Sequence, residues 1–277
     1  MSDSKREPRE EPNELEHRVL IPVEVLEGEG IPEAIVSAFA SIPVVLLGYH
    51  ELPDQTAPEQ ARTQFGERAT AKLDDLAAAF EDVGGTWTTR LVFTKDALKT
   101  FERTAVELEC DGVVLLNPVR TIDRVLVPLR SGVNVSNIAE LVATAFGDAD
   151  VEVTLLHVTP EESDADTGRE VLEEAAETLV ENGVDPDRLL ESVVVDDAPF
   201  ETIVEVADDH DFVVVGESKP SIQDRIFGDP SERIATRTVS PVLIVRRRFL
   251  EMDEDDREER VETLEETADE FSGDSSS

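Results

Sequence analysis

An internal repeat constrains this chain more than any other feature. Arg18-Val-Leu-Ile-Pro-Val-Glu24 returns as Arg124-Val-Leu-Val-Pro-Leu-Arg130, 106 residues further on. Phe101-Glu-Arg-Thr-Ala-Val-Glu-Leu, ahead of Asp111-Gly-Val-Val-Leu-Leu116, returns as Phe200-Glu-Thr-Ile-Val-Glu-Val-Ala, ahead of Asp211-Phe-Val-Val-Val-Gly216. That second spacing is 99 residues. Two copies of one structural unit explain matched segments in matched order.

Within each copy, short apolar runs alternate with amphipathic stretches. Val125 to Leu129, Val151 to Val158, Leu189 to Val195 and Phe212 to Val215 are nearly all apolar and β-branched, the pattern of parallel strands covered on both faces. Asn137 to Phe146, Thr167 to Asn182 and Phe200 to His210 carry helical periodicity, and Ser231 to Thr238 is expected to form a last helix before a fifth strand, Val242 to Val245. The first copy gives strands at Val19 to Val23, Val44 to Tyr49, Thr88 to Phe93 and Gly112 to Leu116. Its helices are expected at Ile31 to Ala40, Pro58 to Glu81 and Asp96 to Glu109. It then stops, without a last helix or fifth strand. The expected fold is α/β: two tandem, doubly wound, parallel-sheet domains of Rossmann-like type, at 18–120 and 121–249, the first truncated. The joint between them is short, so the halves should pack together. Residues 1–17 and the acidic tail 250–277 are expected to be disordered.

Charge narrows the function. Acidic residues number 64 against 25 basic, a net charge of −39. Removing the −11 of residues 251–277 and the −3 of residues 1–17 still leaves −25 on the body of the chain. Such a body repels itself in dilute buffer and is relieved in molar salt, where the Debye length falls to about 3 Å. We therefore expect a protein adapted to a salt-accumulating cell. Nucleic-acid binding is disfavoured, since nothing offsets phosphate repulsion. One cysteine, Cys110, excludes an internal disulfide, and no apolar run is long enough to span a membrane. A cytoplasmic protein is expected.

The segment Gly216-Glu-Ser-Lys-Pro-Ser-Ile-Gln-Asp-Arg-Ile-Phe-Gly-Asp-Pro-Ser-Glu-Arg233, followed by Ser240-Pro-Val-Leu-Ile-Val245, resembles the C-terminal signature of the universal stress protein family. With the opening Val-Leu-Val-Pro strand, the resemblance covers residues 122 to 247 and, more weakly, 17 to 117. It implies an adenine nucleotide alpha hydrolase-like fold and, with the acidic composition, a halophilic archaeal type. Members that bind ATP carry Gly-x2-Gly-x9-Gly-Ser/Thr in this loop. Glycines let backbone amides approach phosphates, and a hydroxyl at a helix N-terminus completes the cradle. The resemblance places the cofactor-binding positions at Gly216, Ser218, Lys219, Gly228, Asp229 and Ser231, with ATP or AMP as the implied ligand. The match is degenerate. Lys219 stands where the second glycine belongs, the spacing to Gly228 is one residue short, and Asp229 replaces the hydroxyl. An aspartate there repels phosphate, whereas Lys219 and Arg225 offset it in part. The family's aspartate after the first strand corresponds to Arg130, although the first copy keeps an acid as Glu24. The alternative for the loop is a structural turn with Ser231 capping the last helix.

Catalytic and metal residues are expected to be absent. His17, His50, His157 and His210 are too scattered for a metal triplet, and the repeat itself explains why His50 and His157 end equivalent strands. Asp196-Asp197 lies at a carboxyl strand edge where a cation could sit, although acids are common throughout. Arg246-Arg247-Arg248 is the one basic cluster and should pair with the tail or a partner. The resemblance implies a homodimer through Val242, Leu243, Ile244 and Val245. The expected function is a non-catalytic stress-response or regulatory module sensing a nucleotide or other small ligand. Ser221 to Asp229 resembles stress-protein domains fused behind transporters, which gives an alternative: a cytoplasmic regulator of a membrane transporter. A weak ATP-binding and hydrolysing enzyme is the alternative of a different class.

Overall fold

The computed structural model describes residues 17–53, 55–130, 134–217 and 237–246. The first half runs β1 (Val19–Glu24), α1 (Glu33–Ala38), β2 (Val44–Glu51), α2 (Pro58–Asp82), β3 (Trp87–Thr94), α3 (Ala97–Glu107) and β4 (Gly112–Leu115). The second runs β5 (Arg124–Pro128), α4 (Val135–Phe146), β6 (Glu152–Thr159), α5 (Ala165–Glu181), β7 (Leu189–Val195), α6 (Pro199–Ala207), β8 (Phe212–Gly216) and β9 (Val242–Val245). The α/β fold expected from the apolar runs is the one observed. The Ser231 to Thr238 helix and the acidic tail lie outside the described residues, apart from the helix's last positions.

All nine strands form one sheet in the order β3-β2-β1-β4-β9-β8-β5-β6-β7. Every pair is parallel except β4 with β9, which run antiparallel with Val113 opposite Ile244 and Val114 opposite Leu243. On its other side β9 lies parallel to β8, with Val214 opposite Leu243. This corrects the homodimer expected through Val242 to Val245, because both edges of that strand are already occupied within the chain. The physical reason is an open strand edge. The first half ends on β4 and leaves its backbone groups open, and an open edge pairs with whatever strand it can reach. The free edges of the described sheet are β3 and β7.

Side-chain alternation along the strands sorts the core into faces. Val19, Ile21, Val114, Val125, Val127, Phe212, Val214, Leu243 and Val245 point to one face, where a single core runs beneath α1, α2, α4 and α5 of both halves. On the opposite face α3 covers Leu20, Val45, Leu47 and Val113. There α6 covers Leu126, Leu156, Val213, Val215, Val242 and Ile244. At the seam of the shared face, Phe39 from the end of α1 meets Phe146 and Phe212 at ring-centroid distances of 6.3 and 6.0 Å, and the latter two lie 5.4 Å apart. These tilted and edge-on contacts suit the ring quadrupoles.

Polar bonds fasten the same seam. Arg246, immediately after β9, is only 5% exposed; its N–H donates to Asp111 O at 2.7 Å and its Nη1 to Cys110 O at 3.2 Å. Asn117 Nδ2 donates to Ser240 O at 3.0 Å. His17 is 7% exposed, with Nδ1 3.5 Å from Asp111 Oδ2 and Nε2 3.8 Å from Glu140 Oε2, so its ring faces one carboxylate from each half. Of the basic cluster, Arg246 therefore belongs to the joint, and the other two arginines lie outside the described residues.

The two halves share one hydrogen-bonding device. Asp111 N donates to Arg18 O while Asp111 Oδ2 accepts from Arg18 N at 3.1 Å. In the second half, Asp211 N donates to Arg124 O, and Asp211 Oδ2 accepts from Asp123 N and Arg124 N at 3.0 and 2.9 Å. Each aspartate ties the start of its half's fourth strand to the start of its first.

Candidate functional site

In open α/β sheets ligands bind at the carboxyl ends of the strands. The structure has two such edges, one per half, and they differ in chemistry.

In the second half the edge is made by the ends of β5, β6, β8 and β9 and the start of α4. Gly216 closes β8, paired with Val245, and Glu217 N donates to Val245 O at 2.8 Å. A Cβ at Gly216 would stand 2.8 Å from Ile138 Cδ1, so the absence of a side chain lets α4 lie directly on the strand end. Asn134 precedes α4 with φ of 65°, the left-handed region that asparagine tolerates better than most residues. Asn134 Nδ2 and Asn137 Nδ2 both donate to Arg246 O, at 3.4 and 3.2 Å. Their Oδ1 atoms are buried without a partner, as is Arg246 Nε. Sequence reasoning passed over these two asparagines, which lie in no motif; only their place at a helix start after a repeated strand marked them.

His157 sits at the same edge. Its Nδ1 donates to Leu129 O at 2.8 Å, the carbonyl just after β5. A Cβ on Gly168 of α5 would stand 2.5 Å from His157 Cδ2, so the glycine makes room for the imidazole. The histidine is thereby a structural tie between β5, β6 and α5. Asp196 Oδ1 accepts from Ala198 N at 2.8 Å and shapes the turn into α6. Among the described residues no group of histidine, cysteine and carboxylate side chains is arranged to hold a metal ion. Of the positions implied for a nucleotide, Gly216 is placed at this edge. Ser218, Lys219, Gly228, Asp229 and Ser231 lie outside the described residues.

The first-half edge is lined with carboxylates that already hold protein groups. Glu24 Oε1 accepts from His50 Nδ1 at 2.9 Å, and Glu24 Oε2 from Glu51 N at 3.3 Å. Glu29 Oε2 accepts from Glu24 N at 2.6 Å. Burial pushes the Glu29 carboxyl up, the hydrogen bond from Glu24 N opposes this, and the Glu24 charge adds to the rise. Tyr49 is pushed up to about 12, first by burial and then by the Glu29, Glu24 and Glu51 carboxylates. Glu24 stands where the resemblance would put an adenosine-contacting acid, yet His50 and the backbone occupy it. Such an edge repels phosphate.

The second-half geometry coincides with a family match. Residues 121–246 match the Universal stress protein family. The matched segment contains β5 to β9 and the Gly216 edge. A universal stress protein from Archaeoglobus fulgidus superposes with a TM-score of 0.57 at 16% identity, covering 83% of this chain and 96% of that one. The cytoplasmic domain of a prokaryotic cation chloride cotransporter superposes at 0.50 with 12% identity, covering 83% and 95%. A universal stress protein from Archaeoglobus fulgidus in complex with dAMP covers 45% of this chain and 97% of that one, at a TM-score of 0.37 and 20% identity. For the first two, at these identities, the likeness is one of fold alone. Among curated proteins none matches the sequence. Among the described residues, no helix is long and apolar enough to cross a membrane.

Proposed function

We propose that this protein is a non-catalytic regulatory module of universal-stress-protein type, built from two units at 18–120 and 121–249, in which only the second keeps a ligand edge. The observation that carries this reading is the coincidence of the family match with the strand order β7-β6-β5-β8-β9 and with Gly216 at its carboxyl edge. The first edge is closed to an anionic ligand by Glu24, Glu29 and Glu51, so a nucleotide such as AMP or ATP would be taken by the second alone. Lys219 and the amides following Gly216 would meet its phosphates, with Ser218, Gly228, Asp229 and Ser231 completing the loop. Binding without turnover is the expected behaviour, because the degenerate loop has lost its second glycine and its hydroxyl.

Calorimetry with ATP, AMP and cyclic dinucleotides in molar KCl tests this. Saturable binding that Lys219→Ala weakens, with no phosphate released, supports it. Turnover of ATP overturns the non-catalytic reading, and a complete lack of nucleotide binding overturns the nucleotide part. The net charge of −39 supports a halophilic, cytoplasmic setting.

A second reading is regulation of a membrane transporter. It draws on the likeness of the Ser221 to Asp229 stretch to transporter-fused domains and on the superposition with the cotransporter's cytoplasmic domain. Pull-down from membranes solubilised in molar KCl, followed by mass spectrometry, tests it; recovery of soluble proteins alone would remove it.

A further inference from the structure

A groove of about 510 Å³ lies at the opposite edge of the sheet from Gly216, across the joint between the halves. One wall is the end of α1 with Ser41, the other is the end of α4 with Asp148, and the connecting segment Arg120 to Asp123 forms the floor. That volume falls within the range of small-molecule sites, which favour interfaces between domains. The apolar lining comes from Ala34, Ala38, Ile122 and Phe146. The α1 wall carries small side chains, Ala34, Ser37 and Ala38, which leave the groove open.

The charged lining has both signs. Glu33, Asp123 and Asp148 supply carboxylates, and two helices end here, bringing the partial negative charge of their last carbonyls. Arg120 supplies a guanidinium. Like most of the described arginines, Arg120 makes no ion pair among the described residues, so its guanidinium is open to a ligand. Asp123 Oδ2, two residues on from the neighbouring Thr121, instead accepts from Thr121 Oγ1 at 3.0 Å.

We propose that this groove binds a small zwitterion of amino-acid type. Its carboxylate meets Arg120, its ammonium meets the carboxylates of Asp123 and Asp148, and its short apolar body rests on Ala34, Ala38 and Ile122. A bound molecule would touch α1 from the first half and α4 from the second, and would therefore raise the stability of the joint by mass action. The site is independent of the nucleotide edge.

Nuclear magnetic resonance titration of the full chain in about 2 M KCl tests the proposal, since such salt screens diffuse charge effects. The probes are 4-aminobutanoate, with 1,4-diaminobutane and butanoate as single-sign comparisons. The expected result is a saturable shift of amides at Ser37 to Ser41 and Thr121 to Asp123 with 4-aminobutanoate, at least fivefold tighter than either comparison. Arg120→Gln and Asp148→Asn should each weaken it at least fivefold, and Glu174→Gln on the outer face of α5 should leave it unchanged. Equal or tighter binding of the diamine, or shifts spread over α5, would show a merely acidic surface and overturn the proposal. So would the absence of any saturable shift in a chain whose circular dichroism is native.

Discussion

Gly112 of β4 lies against Leu243 of β9 so closely that a Cβ on the glycine would stand 2.7 Å from Leu243 Cδ1. The contact joins two residues on opposite sides of the seam between the halves. It explains why glycine stands at the start of β4.

Gly112→Val should therefore wedge the seam and lower stability by about 1–3 kcal/mol, the usual cost of overfilling a packed site. Gly112→Ala should cost less. Urea unfolding in molar KCl measures both, and a neutral Gly112→Val would mean that β4 and β9 are not paired in solution.

The shared aromatic seam makes the halves unfold together. Phe39→Ala should cost about 3–5 kcal/mol, with a coupling to Phe146→Ala of about 0.5–1.5 kcal/mol in a double-mutant cycle. Thermal unfolding should be a single transition. Two separated transitions in the parent chain would contradict a continuous core.

Leu243→Lys separates an internal seam from a dimer edge. Leu243 is 0% exposed, so a lysine there buries an unpaired charge and should unfold or severely destabilise the chain. Light scattering that shows a folded dimer becoming a folded monomer would reverse this assignment.

Cys110 is pushed up to about 12, mainly by burial, with Arg18 and Arg246 opposing and Asp111 adding to the rise. Its thiol should resist iodoacetamide at pH 8 in the native chain and react once unfolded. The unfolded state loses this proton near the ordinary value of 9.0 and the folded state only near 12. Between those values the native state binds more protons, so this group's stabilisation, complete below pH 9, is lost as pH rises towards 12. Comparing Cys110→Ala with the parent in alkaline unfolding isolates the contribution, and identical pH profiles would contradict it.

Salt should matter throughout. With a charge of −39, the unfolding midpoint should climb steadily as KCl is raised from dilute buffer to molar concentration. A midpoint indifferent to salt would refute halophilic adaptation.

The strands and helices were legible in the sequence because apolar runs such as Val125 to Leu129 carry their own periodicity. What could not be read was the partner of β9. Val242-Leu-Ile-Val245 is equally suited to a second chain or to Val113 and Val114 of its own, and only the three-dimensional reach of the short joint decides. The carboxyl edge of the second half was legible as Gly216, but Asn134 and Asn137 were not, since two asparagines at a helix start have no distinctive spacing. The groove beside Arg120 was equally hidden: it is assembled from residues of both halves that no local pattern connects.

The antiparallel seam also dictates an order of assembly on the ribosome. Leu115 finds its partner in Val242, and Cys110 is bonded by Arg246 only 136 positions later. The first half thus emerges with one strand edge bare and must wait, throughout synthesis of the second, for β9 to close it. Such distant pairing slows folding and leaves a nascent edge open to wrong partners. A premature stop anywhere before Val242 would release a first half that is not a smaller working protein but an unfinished sheet.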